Sequence, residues 1–232
     1  MSIRRGPLPP SFLNTYSLDF DGIDDYVESS YTGNVTSLSL WFKPNSTITT
    51  STSAQCLVGF QDGSPYSGIY LGSFAGSISN ELITIKTTVS SNASYYSQFG
   101  GSISNSWHNL IIVGTGTQYN IYLDNANVFT ANFGGNVGLI NASRLDIGTR
   151  ILGGSISIPF NGNIDEVAVW DSDQSANVNT IYNGGIPGNL SSLSPLSWYR
   201  FEEGSGTTAI DSGTGGNNGT INGATYSTDI PT

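Results

Sequence analysis

Phe20-Asp21-Gly22-Ile23-Asp24-Asp25-Tyr26-Val27 reads as the end of one strand, a glycine-bearing acidic turn and the start of a second strand. Working upstream, Tyr16, Leu18 and Phe20 alternate with polar residues, the period of a half-buried strand. Downstream, Leu38, Leu40 and Phe42 share one face of Ser37–Lys43, and Glu81–Val89 is rich in β-branched residues. Trp107–Val113 and Tyr119–Asp124 follow, parted by the turn-prone Gly114-Thr115-Gly116-Thr117, and Asp124-Asn125 closes the second as a hairpin turn. Arg144–Thr149 and Ile164–Trp170 extend the series. Short strands separated by Gly, Asn and Ser turns predict an all-β protein, an antiparallel sandwich or barrel, and exclude alternating strand–helix units. One short helix is expected, capped by Ser175, running through Val178, Ile181 and Tyr182, and stopped by Gly184-Gly185.

The composition narrows the function. The 232 residues are 37% hydrophobic and only 10% charged, too apolar for a disordered chain. Seven Lys and Arg against 17 Asp and Glu leave a net charge of −10, which excludes the basic surface that nucleic acid requires. No apolar run approaches the roughly 20 residues of a membrane-spanning helix. The sequence opens without an apolar export segment, although a neutral shell rich in hydroxyls and amides suits work outside a cell. Release by lysis, as part of a virus particle, reconciles the two. Cys56 is the single cysteine and reads as buried in a strand. His108 is the single histidine, which excludes a multi-histidine metal centre; beside Trp107 on a strand it reads as structural.

Carboxylates cluster twice, at Asp19, Asp21, Asp24, Asp25 and Glu28, and at Asp165, Glu166, Asp171 and Asp173. On a tight turn such groups repel unless a cation or backbone donors offset them, and hard oxygen ligands on a loop are what Ca²⁺ prefers. The acidic turn, Trp107-His108-Asn109-Leu110 with Ile121-Tyr122-Leu123-Asp124, Phe160–Trp170, and Ile181-Tyr182-Asn183-Gly184-Gly185 together resemble the laminin-G-like, concanavalin-A-like jelly-roll family over residues 16–185. The resemblance implies a jelly-roll sandwich, Ca²⁺ as a cofactor, and Asp21, Asp24, Asp165 and Glu166 as its candidate ligands. The competing expectation is that these carboxylates only cap turns.

The ends depart from the family pattern. Residues 196–226, including Trp198-Tyr199-Arg200-Phe201, resemble the stretch that usually opens such a domain but here close it. Either the domain is permuted, so that 14–232 form one sandwich, or these strands complete a neighbouring copy of the chain. Residues 1–13 form a Pro-rich arm; Arg4, Arg5, Pro7, Pro9 and Pro10 are expected either to be a flexible leader or to attach the protein to a neighbour.

Three function classes remain. Glucanases of this fold need two carboxylates sharing a face across a cleft, whereas Asp165-Glu166 and Glu202-Glu203 are adjacent and expected on opposite faces, so no enzyme is expected. A glycan-binding protein would use aromatic faces among amides and hydroxyls, with Tyr66, Tyr70, Tyr95, Tyr96 and Phe99 as candidates against the alternative that they pack the core or rim. The leading expectation is a virion surface protein, since similar domains decorate phage capsids and tail fibres; its partners would be virion proteins, further copies of itself and glycans. A secreted or cell-surface lectin is the alternative.

Overall fold

The computed structural model describes residues 12–61, 67–73, 82–86, 94–97, 101–116, 118–132 and 140–232. Its strands, in chain order, are β1 (Ser17–Asp21), β2 (Tyr26–Ser29), β3 (Gly33–Val35), β4 (Ser37–Pro44), β5 (Gln55–Phe60), β6 (Gly68–Leu71), β7 (Ile83–Lys86), β8 (Ser94–Ser97), β9 (His108–Gly114) and β10 (Gln118–Leu123). There follow β11 (Ala126–Asn132), β12 (Ile140–Ala142), β13 (Leu145–Ile147), β14 (Arg150–Leu152), β15 (Ser155–Ser157), β16 (Asn161–Trp170), β17 (Ser197–Tyr199), β18 (Thr208–Ala209), β19 (Gly219–Asn222) and β20 (Thr225–Ser227). Two antiparallel sheets dominate. The front sheet runs β11-β10-β9-β4-β16-β1-β20, with β17 also on β16; the back sheet runs β18-β19-β2-β13-β5-β6-β7-β8. This is the expected jelly-roll sandwich.

The acidic turn is where the chain crosses between layers, because β1 belongs to the front sheet and β2 to the back. Alternation then sorts the side chains. Leu18 and Phe20 on β1, Leu38, Leu40 and Phe42 on β4, and Ile164 on β16 enter one core with Val27, Leu57, Ile69, Leu145 and Ile147 of the back sheet. Each such burial contributes about 1.5–3 kcal/mol.

Ser37, Ser39 and Trp41, which alternate with that set, are buried as well. Residues 171–196 lie over this part of the outer face of the front sheet. They form a second apolar cluster, in which Val178, Ile181 and Leu190 meet Ile111, Val113, Ala168, Trp170 and Trp198. Trp170 Nε1 donates to Leu193 O at 2.9 Å, and Trp41 stacks on Tyr182 with ring centroids 6.2 Å apart. The expected helix is present as a single 3-10 turn, Ser175–Asn177, leading into α1 (Val178–Tyr182). Ser175 does not cap it: α1 has no side-chain cap, and Asp173 Oδ1 instead accepts the Ser175 N–H at 2.8 Å. Asn183, in the left-handed conformation at φ 49°, ends it ahead of the glycines.

The C-terminal strands enter both sheets. β20 pairs with β1 (Tyr226↔Leu18), β19 with β2 (Ile221↔Val27), and β17 with β16 (Trp198↔Ala168). Asp124 and Asn125, at φ 49° and 68°, form the two-residue hairpin turn between β10 and β11 that their side chains favour. Cys56 is buried, and burial raises its thiol well above the ordinary range.

The arm boundary moves. Phe12 and Leu13, grouped with the arm on sequence, dock on the sandwich: Phe12 stacks on Trp198, centroids 6.0 Å apart, and Arg200 donates to Leu13 O. Arg4, Arg5, Pro7, Pro9 and Pro10 lie outside the described residues.

Candidate functional site: an acidic turn and a buried acid pair

In the acidic turn, Asp21 Oδ1 accepts the N–H groups of Ile23 (2.7 Å) and Asp24 (3.4 Å), while Asp25 Oδ2 accepts that of Asp21 (2.9 Å). Gly22 supplies φ 79°, and a Cβ there would meet Asn161 Cβ at 2.7 Å, so only glycine lets the turn lie against β16. The backbone bonds explain the turn but not its charge. Asp21, Asp24 and Asp25 each bring a carboxylate oxygen to within 4.8 Å of the others. Burial, and then the charges of Asp21, Asp24 and Asp19, raise the Asp25 carboxyl above its ordinary range despite the Asp21 N–H it accepts. Ligands of one Ca²⁺ at 2.3–2.6 Å are at most about 5 Å apart. The geometry of this donor set therefore fits a calcium ion, and it includes Asp25, which sequence reading left out of the candidates.

Asp165 and Glu166 do not fit that ion. Asp21 pairs with Asn161, and Asp165 lies four residues further along β16, about 13 Å at strand rise. Both acids are buried and already partnered. Asp165 accepts from Asn14 Nδ2 (2.9 Å) and from the Glu166 N–H (2.8 Å); Glu166 accepts from Trp198 Nε1 (2.5 Å) and Arg200 Nε (3.2 Å). The expectation that they face opposite ways fails because β16 carries a bulge: register with β4 breaks between Asp165 and Ala168, and Glu166 sits at φ 51°. Both carboxyls consequently face Phe12–Asn14, which lies across them like a strap. Arg200 secures it, its guanidinium 4.2 Å from the Phe12 ring centre, and Glu202 Oε1 accepts the N–H groups of Thr15 (2.8 Å) and Tyr16 (3.2 Å).

Burial, then the Glu166 charge, pushes the Asp165 carboxyl well up. Burial pushes Glu166 up to about 8, although Arg200 and Trp198 pull it back. Raised carboxyls mean that the folded chain binds these protons more tightly than the unfolded chain. The pair's contribution is complete below the unfolded value near 4 and declines as pH rises toward 8. Asn14 Oδ1 is buried without a hydrogen-bond partner, so a flipped Asn14 amide can accept from a protonated or amidated Asp165. Asp165→Asn is expected to melt higher than wild type at pH 8 and the same at pH 4, flattening the dependence; thermal melts across that range check it.

The aromatic candidates fare unevenly. Tyr70 is fully buried, packed beside Cys56 and Arg150, and burial lifts its phenol far above the usual range, so it is a core residue and no ligand contact. Tyr95 and Tyr96 stand on β8 opposite Ile85 and Thr84, where only the backbone is described; Tyr66 and Phe99 lie outside the described residues.

His108 has partners that sequence reading did not see. Its Nδ1 lies 2.7 Å from Asp124 Oδ2, and its Nε2 is 3.1 Å from Ser104 Oγ and 3.4 Å from Ser106 Oγ. The order is that of a hydrolytic triad. Nε2 also lies 3.2 Å from the Ser104 carbonyl, however, and Asp124 Oδ1 accepts the Asn109 N–H (2.8 Å). The group thus ties the loop before β9 to the β10–β11 turn.

A family model described as the concanavalin A-like lectin/glucanases superfamily matches residues 21–177. No curated protein sequence matches the chain. Among solved structures, a Bacteroides ovatus protein described as a candidate carbohydrate-binding protein superposes with a TM-score of 0.68 at 18% identity, over 94% of this chain and 61% of that one. This chain therefore spans less than two thirds of that protein. A heptameric SAP-like pentraxin from Limulus polyphemus gives 0.53 at 16% identity, over 72% and 82%. Domain 4 of an extracellular arabinanase from Geobacillus stearothermophilus, solved with arabinotriose, gives 0.50 at 15%, over 71% and 75%. At such identities these likenesses establish the fold.

Proposed function

We propose that this chain, which belongs to the concanavalin A-like lectin/glucanase superfamily, is a non-catalytic carbohydrate-binding module working on a surface outside the producing cell. The observation that carries the reading is the exposed acidic turn, where three carboxylates converge with their charges only partly offset by backbone donors. Asp21, Asp24 and Asp25 would hold a calcium ion. When bound, that ion supplies open coordination positions for sugar hydroxyls. The carbohydrate-binding descriptions of the Bacteroides protein and the arabinanase domain support the ligand class. The non-catalytic reading is supported by the fate of the Asp165–Glu166 pair, which is closed beneath the Phe12–Asn14 strap and used to bind it.

The test is a glycan array with calcium and with chelator, beside thermal melts. Wild type is expected to bind glycans in calcium only. At calcium a hundredfold above its dissociation constant, it should melt about 5–10 °C higher than in chelator. Asp24→Asn should abolish that difference. Equal melting of wild type in calcium and chelator sinks the metal, and an array without signal sinks the ligand class.

The virion is the second setting, favoured by the clamped strap: Phe12, Leu13 and Asn14 are held by Trp198, Arg200 and Asp165, giving the Pro-rich segment before them a rigid root. Density-gradient fractionation of a producing-cell lysate separates the settings. Co-migration with capsid or tail proteins selects the virion, and free or envelope-bound protein selects the lectin.

A further inference from the structure

Three of the four tryptophans are consumed by packing. Trp170, Trp198 and Trp41 are at most 4% exposed, and the last two carry the Phe12 and Tyr182 rings. Trp107 differs. It is half-buried immediately before β9, and among the described residues no ring or cation stacks on it. Its Nε1 donates to Asp229 Oδ1 at 2.8 Å, so the edge of the indole is pinned.

The register places Trp107 at the end of a row. One step beyond the pair Phe42↔His108, Lys43 comes opposite Trp107; Lys43 pairs with Asn163, and Asn163 with Asp19. All four alternate with core residues and therefore share the outer face of the front sheet, beyond the part that residues 171–196 cover; Asn163 is buried there, donating from Nδ2 to Ser17 Oγ at 3.3 Å, and forms the floor of the row. Asp229 lies over the row, accepting from Lys43 Nζ at 2.5 Å as well as from Trp107, and Ser17 Oγ donates to its carbonyl at 2.7 Å. Asp19 is exposed, and after burial the charges of Asp21 and Asp229 are what raise its carboxyl. Two residues along β1 from Asp19 is Asp21, on the same face, so the row runs into the acidic turn.

We propose that this row, from Trp107 across Lys43, Asn163 and Asp19 to the acidic turn, is an extended binding face for an uncharged oligosaccharide. The inference rests on the carbohydrate reading above and gives it a place and a class. Four strands at about 4.8 Å spacing make a row of about 14 Å, the length of a short oligosaccharide. The indole is the surface against which the C–H face of a sugar ring packs, and Asp19 and Asp229 present carboxylate acceptors to its hydroxyls. The one cation in the row, Lys43, is already neutralised by Asp229, and the chain carries −10 overall, so sulfated and uronic acid polymers are repelled.

The test titrates the full chain, in calcium, with neutral hexasaccharides of glucose, galactose, arabinose and N-acetylglucosamine and with a heparin hexasaccharide, reading tryptophan emission and calorimetry. At least one neutral sugar is expected to bind and to perturb the emission, heparin is not, and Trp107→Leu should weaken binding at least tenfold while Trp107→Phe weakens it less. Should Trp107→Leu fold poorly, Asp19→Ala, at an exposed carboxylate, is expected to weaken binding severalfold in a normally melting protein. Wild-type binding that both Trp107→Leu and Asp19→Ala retain within twofold overturns the row and leaves the carbohydrate reading standing. Binding of none of the neutral sugars overturns both, and preference for heparin overturns the class.

Discussion

A chain stopped after Ser191 is expected to be insoluble, or to melt about 15 °C or more below the full chain. The truncation removes β17, β18, β19 and β20, and with them Trp198, Tyr199, Phe201 and Ile221, each 5% exposed or less. At about 1.5–3 kcal/mol for each large side chain, the loss is about 6–12 kcal/mol, comparable to the whole stability of a typical domain. It also bares both strands that flank the acidic turn, since β20 covers one edge of β1 and β19 one edge of β2. Polar ties go too: Tyr199 Oη is 2.7 Å from Ser29 Oγ, and Asp211 accepts the N–H groups of Trp198 (2.7 Å), Gly213 (2.7 Å) and Asn217 (2.6 Å). Sedimentation and thermal melting decide the matter. A truncated chain that stays a folded monomer of unchanged stability would show that the tail is no part of the core.

At pH 9, where Glu166 is ionised, Arg200→Ala is expected to destabilise the protein by about 3 kcal/mol. Glu166 is almost wholly buried and Arg200 is its only cationic partner among the described residues, so the substitution leaves a carboxylate with the Trp198 indole as its remaining side-chain donor. The same change removes the guanidinium from the Phe12 ring and the donor to Leu13 O, loosening the strap. Arg200→Lys should fall between, because a point charge can satisfy Glu166 but offers no planar face to Phe12. Denaturant melts give the stability, and limited proteolysis around Phe12 reports the strap. An Arg200→Ala protein with wild-type stability and an equally protected Phe12 would mean that the clamp is incidental.

Local chemistry determined a large part of this molecule. Alternation in Tyr16–Phe20 and Ser37–Lys43, the Asp124-Asn125 turn, the short apolar helix face at Val178 and Ile181, and the glycine at position 22 each act within a few residues. The sandwich, the acidic turn and its crossing strands were therefore legible in the sequence. Four things were not. A single bulge at Glu166 put two adjacent acids on one face, and nothing in Ile164–Val169 marks which residue will leave the ladder. The strap over them joins Asn14 to Asp165, 151 residues apart, so it exists only once β1, β16 and β17 are neighbours. Trp107 likewise meets Asp229 across 122 residues, and Tyr70 is a core residue because β6 lies between β5 and β7. Dihedral preference and period-two patterning are short-range, whereas burial, ion pairing and the rows of side chains across a sheet depend on which strands become neighbours, and only the tertiary structure decides that.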